Sequence, residues 1–136
     1  MSQNQMVITK GKANMNIRNT AIQWLKENFP NEIHNTTRTS KYFPERELWF
    51  FTFPTSFFDK NGNEFLNLIC EHESNKKEFH FIKIPFKFIK ENRNNFDIRA
   101  DGDQFDVHIS ARATEKFVEK RSRNKIDLKP YKQNLL

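Results

Sequence analysis

Two stretches of alternating apolar residues, 64–71 and 78–84, are separated by a short polar loop from His72 to Lys77. Alternation with period two specifies strands, and two strands joined by so short a loop specify an antiparallel hairpin. Centring the hairpin on Asn75 pairs Leu66 with Ile84, Leu68 with Ile82 and Cys70 with His80. The four aliphatic residues then share one face. A slip of one residue scatters them, so burial selects this register. A second hairpin follows the same logic. Residues 96–99 and 104–109 flank Ala100-Asp101-Gly102-Asp103, whose Asp-Gly step is a turn signal. Ile98 pairs with Phe105 and Phe96 with Val107, which leaves Asp97, Arg99, Asp106 and His108 on the opposite face.

The rest of the chain is read around these hairpins. Asn16 suits a helix N-cap, and Ile17, Ala21, Trp24 and Leu25 recur at helical spacing until Phe29-Pro30 ends the run. The Thr-rich residues 33–40 suit a partly exposed strand. Residues 48–53 are apolar on both faces, which predicts a central strand. Pro85 suits the first position of a short helix running to about residue 93. Ser110 suits an N-cap, with Ala113, Phe117 and Val118 as the buried stripe of a last helix to about residue 122. The expected class is α+β: a mainly antiparallel sheet of five or six strands, N-terminal and C-terminal helices, and one short inserted helix. One domain is expected over residues 14–123, between a flexible segment 1–13 and a basic tail 124–136.

A length of 136 residues fits one domain. Fifteen Phe, two Trp and two Tyr fill a core from few positions and argue against disorder. One cysteine excludes a disulfide scaffold and every multi-cysteine zinc pattern. Three glycines, at 11, 62 and 102, cannot make a dinucleotide fingerprint or a phosphate loop, so no small-molecule cofactor is expected. No apolar run approaches the roughly 18 residues of a membrane span, and residues 1–16 are polar. A soluble, cytoplasmic protein with no membrane partner is therefore expected.

The net charge of +6 is uneven. Residues 1–30 hold four basic side chains against one acidic, and residues 116–136 hold seven against two, while residues 31–115 hold twelve against fourteen. Basic flanks suit phosphate contacts. On the expected last helix, Arg112, Lys116, Lys120 and Arg123 fall along one ridge, extended by Arg121 and Lys125. A secondary basic set, Arg38, Lys41 and Arg46, is interleaved with Tyr42, a pattern that suits single strands. The expected function is a non-enzymatic nucleic-acid-binding or nucleic-acid-associated accessory module, contacting phosphates through the last helix and tail.

Two side-chain clusters and one apolar run carry the alternatives. Asp97 and Asp106 face each other across a ladder, with His108 two residues on. Opposed like charges are unfavourable there, which motivates a metal-dependent nuclease. Arg99 shares that face, and a structural surface pair is the simpler reading. The acid-x-Lys tripeptide of restriction-nuclease-like cores is also missing, since the strands offer Glu71-His72-Glu73 and Glu78-Phe79-His80. Cys70, His72 and His80, with Glu78, are zinc-type donors. Cys70 equally continues an apolar face as a small buried hydrophobe, with the histidines at the rim, so no metal is expected. The aromatic run 48–58 motivates a protein partner and a subunit role in a larger assembly.

Overall fold

The computed structural model of the protein describes residues 9–32 and 36–135, with side chains from position 17 onward. Helix α1 (Thr9–Asn28) leads into strands β1 (Thr37–Ser40), β2 (Tyr42–Phe43) and β3 (Leu48–Pro54). A 3-10 turn (Thr55–Asp59) precedes β4 (Phe65–Glu71) and β5 (Phe79–Pro85). Helix α2 (Phe86–Glu91), β6 (Asp97–Ile98), β7 (Gln104–Ser110) and β8 (Lys132–Gln133) follow. The strands form two four-stranded sheets, ordered β1-β4-β5-β8 and β2-β3-β7-β6. Among the described residues, only the β1–β4 pair is parallel. The α+β class and the mainly antiparallel pairing hold, but the single sheet of five or six strands is replaced by two sheets.

The reason lies in how the aromatic residues are used. Trp49, Phe51 and Phe53 of β3 and Phe105, Val107 and Ile109 of β7 point at Leu66, Leu68, Cys70, Ile82 and Ile84 of the other sheet, and all are buried in one cluster. Residues this large fill the space between two stacked sheets, about 10 Å apart, better than they cover one. The turn around Asn61 and Gly62 therefore carries the chain from one sheet to the other. On the far side of the first sheet, Ile69, Phe79 and Phe81 bury against Ala21, Trp24 and Leu25 of α1. The layers are helix, sheet, sheet. The strand enclosed on both faces is β4, whereas β3, central in its own sheet, leaves Phe50 and Pro54 exposed on its outer face.

Both hairpin registers agree with the sequence pattern: Leu66 faces Ile84, Leu68 faces Ile82, Cys70 faces His80, Ile98 faces Phe105, and Asp97 faces Asp106. Gly102 takes a φ of 78° in the second turn, a conformation glycine adopts freely. Helix α1 begins at Thr9, ahead of the expected cap at Asn16, so residues 9–13 are helical. Residues 1–8 of the expected flexible segment and residues 33–35 of the expected strand lie outside the described residues.

The expected last helix does not form. Residues 111–128 contain one 3-10 turn, Ala113–Glu115, and then form an irregular arm in which Val118 and Glu119 lie along β7 and the chain turns back over 120–125 to pair with them. The Phe117 amide donates to the Ser110 carbonyl at 2.8 Å, Lys120 to His108 at 2.7 Å, and Glu119 to Ile126 at 2.7 Å. Phe117 adopts a φ of 66° and stacks on Trp49 at 5.7 Å between ring centroids. A left-handed aromatic residue costs about 1–2 kcal/mol, and burying the ring offsets that. Glu119 is wholly buried, and its carboxylate accepts the backbone N–H groups of His108, Arg121 and Ser122. These long-range contacts outweigh a three-residue helical stripe, two members of which, Ala113 and Val118, are not buried. Residues 124–136, read as a tail, likewise contribute Ile126 and Leu128 to the core and pair with β5 through β8. Among the described residues, no helix is long and apolar enough to cross a membrane.

Candidate functional site

Without a helix there is no cationic ridge, and the cations of the arm disperse. Arg112 pairs with Glu47 at 2.7 Å, Lys116 with Glu73, Lys120 with Glu115, and Arg121 with Asp97. Lys125 donates to the Lys120 carbonyl at 2.8 Å. Arg121 and Arg123 still meet Arg93 along a polar cleft of about 320 Å³, but Asp97 lies in the same cleft and takes up part of the charge.

The Asp97–Asp106 pair exists as a register pair and is neutralised as one. Arg99 grips Asp106 with two bonds, Nε to Oδ2 at 3.1 Å and Nη2 to Oδ1 at 2.9 Å, and Thr52 Oγ1 donates to the same carboxylate at 2.8 Å. The Arg99 hydrogen bond is the main reason the Asp106 carboxyl stays below its usual range, against the opposing effect of burial. With Arg121 on Asp97, each carboxylate already has a cationic partner of its own. His108 packs edge-on against Phe50 at 4.8 Å, and burial first, then Arg121 and Arg46, pull its imidazole down.

The secondary basic set comes together better than the primary one. A cleft of about 370 Å³ runs along the free edge of β1, between α1 and the second sheet, lined by Arg18, Arg38, Lys41, Ser40, Phe43 and Phe50 among others and by no carboxylate among the described residues. Ser40 builds its floor: its hydroxyl donates to the Lys41 carbonyl at 2.8 Å and accepts the Phe50 amide at 3.0 Å, stitching the two sheets. Arg18 reaches the Thr37 carbonyl at 3.3 Å, and Arg38 bonds the same oxygen at 3.2 Å. Two guanidiniums on one carbonyl repel each other, and Arg38 falls below its ordinary value through burial first and Arg18 second. Lys41 lies 5.0 Å over the Phe43 ring, and Phe50 keeps 37% of its surface exposed. Arg46 does not line this cleft and lies near enough to His108 to pull its imidazole down.

A second cluster gathers at the β4–β5 turn. His80 Nε2 lies 2.6 Å from Glu73 Oε1, the other Glu73 oxygen takes Lys116, and the His72 and His80 rings stack at 4.9 Å. Burial pushes the Glu73 carboxyl up, but hydrogen bonds from Lys116, His80 and the backbone outweigh it and hold it down at about 2. Burial likewise pulls His80 down, against the pull of Glu73. Of the four donors expected here, Cys70 turns into the core, where burial pushes its thiol up, and Glu78 accepts the Trp24 indole N–H at 3.0 Å.

Sequence spacing does not reveal Arg18, Glu73 or Glu119 as organising residues. Arg18 lies off the apolar stripe and meets Arg38 only because α1 crosses the β1 edge. Glu73 lies in a loop, and Glu119 looks like an ordinary helical charge. The exposed Phe50 carries a partial signal, because a doubly apolar strand leaves one face to be covered. Compared with known protein families, with curated proteins and with solved structures, the chain shows no match.

Proposed function

We propose that this chain is a small nucleic-acid-binding module that takes single-stranded nucleic acid in the Arg18–Arg38–Lys41 cleft. The observation that carries the reading is the convergence of three cations, two of them guanidiniums meeting at one carbonyl, in a cleft lined by no carboxylate among the described residues. Guanidiniums bond phosphate oxygens in pairs, so two of them on one cleft wall suit a phosphate backbone. Phe43 and Phe50 at the cleft wall offer the flat apolar surfaces on which unpaired bases stack. Arg112, Lys116, Lys120 and Arg121 are held in ion pairs, and the C-terminal cations take a lesser part. A nuclease reading has less support, because Asp106 is already paired with Arg99 and Asp97 with Arg121. A subunit reading loses its motive, since Phe51, Phe53, Phe57 and Phe58 are spent on the core.

Fluorescence anisotropy with a labelled single-stranded oligonucleotide tests the reading. Three phosphate contacts to a single strand give a log–log salt slope near −2, so affinity should fall about 20-fold between roughly 50 and 200 mM salt. Arg18→Ala combined with Lys41→Ala should weaken binding and flatten the slope to near −0.7. Arg112→Ala, which removes a cation already paired with Glu47, should change little. Absence of binding at low salt, or a larger effect of Arg112 than of the cleft pair, overturns the proposal.

A further inference from the structure

The β4–β5 turn brings two imidazoles and a carboxylate within reach of one ion. One donor atom from each of His72, Glu73 and His80 lies within 4.8 Å of the other two. We propose that these three side chains form a Zn²⁺-type binding site, independent of the nucleic-acid reading. Imidazole and carboxylate are the donors that borderline divalent ions such as Zn²⁺ take, and two His with one Glu plus a solvent molecule make up a familiar four-coordinate set.

The geometry needs only a small adjustment. Zinc holds nitrogen and oxygen ligands at about 2.0–2.2 Å, so two ligand atoms on a tetrahedral ion stand about 3.4 Å apart. The His80 Nε2–Glu73 Oε1 contact of 2.6 Å opens by less than 1 Å as the ion takes the place of the proton between them. The single proton of the neutral ring moves from Nε2 to Nδ1 as the ion binds. The His72 contacts, at most 4.8 Å, close by up to about 1.4 Å.

The surroundings are those of a supported site. His80 is buried and gripped edge-on by Trp49 at 5.4 Å and Phe117 at 5.2 Å, so its ring plane is fixed. Lys116 holds the second Glu73 oxygen. The Ser74 backbone N–H donates to His72 Nδ1 at 3.1 Å, so ligation through Nε2 requires the ring proton to move to Nδ1 and turn to the Ser74 hydroxyl, 3.3 Å away. Such outer contacts orient metal ligands. A surface cavity of about 290 Å³ opens beside both histidines, which admits the ion and leaves room for a bound water. All three ligands sit on one hairpin, so the ion would clamp its turn, and through Lys116 the arm that lies across it.

Isothermal titration of the full chain with Zn²⁺ decides the matter, with Co²⁺ absorption as the second readout. One equivalent is expected. His72→Gln and Glu73→Gln, neither of which empties the core, should each lower affinity at least about tenfold, the loss that even an outer contact can carry. His108→Gln removes a histidine from another face and should leave binding unchanged. The Co²⁺ spectrum should lack a thiolate charge-transfer band, since Cys70 points into the core. A wild-type chain that binds no Zn²⁺ at micromolar concentration overturns the proposal. So does Zn²⁺ affinity that survives both ligand variants, or a thiolate band.

Discussion

Replacing Glu119 tests how the arm is held. The Glu119 carboxylate is fully buried and accepts three backbone N–H groups, from His108 at 2.7 Å on Oε2 and from Arg121 at 2.9 Å and Ser122 at 2.5 Å on Oε1. Arg121 is exposed, so its amide finds water when the acceptor is gone. His108 and Ser122 are buried, and each orphaned amide costs about 1–3 kcal/mol. Glu119→Ala should therefore lower stability by about 3–4 kcal/mol, since relief of a buried charge, whose burial pushes the carboxyl up, offsets part of the loss and the cavity adds to it. Glu119→Gln keeps one oxygen for Arg121 and Ser122 and turns an NH₂ toward the His108 amide, so its cost should be nearer 1–2 kcal/mol. Equilibrium denaturant unfolding followed by tryptophan fluorescence measures both, because Trp49 stacks on Phe117 in the arm. Hydrogen exchange should lose protection selectively at the His108 and Ser122 amides. An Ala variant within about 1 kcal/mol of wild type, or Gln as costly as Ala, refutes the argument from amide satisfaction.

Two further outcomes follow from the same contacts. The folded state holds His108 below its ordinary value of about 6.5, so its contribution to stability is present above that pH and fades as pH falls. His108→Gln should flatten the stability loss between about pH 7 and 5, measured by thermal melts across that range. Leu128, 1% exposed, should cost about 2–5 kcal/mol as Leu128→Ala, whereas Lys129→Ala next to it stays within about 0.5 kcal/mol; equal effects would show that the C-terminal segment is not part of the core.

Local pattern and long-range packing divided the fold between them. The hairpins at 65–85 and 97–110 were legible because each strand has a period of two and each turn is short, so register is a local property. The short helix after Pro85 and the stripe of α1 were legible for the same reason. The split into two sheets was not, because alternation along β3 and β4 says which residues are buried but not whether their faces lie side by side or stacked. The arm at 111–128 was misread because Ala113, Phe117 and Val118 have helical spacing. Phe117 reaches Trp49 from a left-handed turn, and Glu119 reaches three amides from the bridge that follows it, neither of which a helix supplies.

The candidate sites divide likewise. Arg38, Lys41, His72 and His80 stand out in the sequence, and Asp97 opposite Asp106 follows from one turn. Arg18 reaches the Thr37 carbonyl, which Arg38 also bonds, across nineteen positions of chain, and Arg121 meets Asp97 across twenty-four. The sequence by itself determined the hairpins, their registers and the amount of charge at each end. Tertiary structure alone decided which of those charges face an acid and which face an open cleft. The physical reason is that charge pairing depends on distances of a few ångströms between segments remote in the chain, and aromatic packing sets those distances.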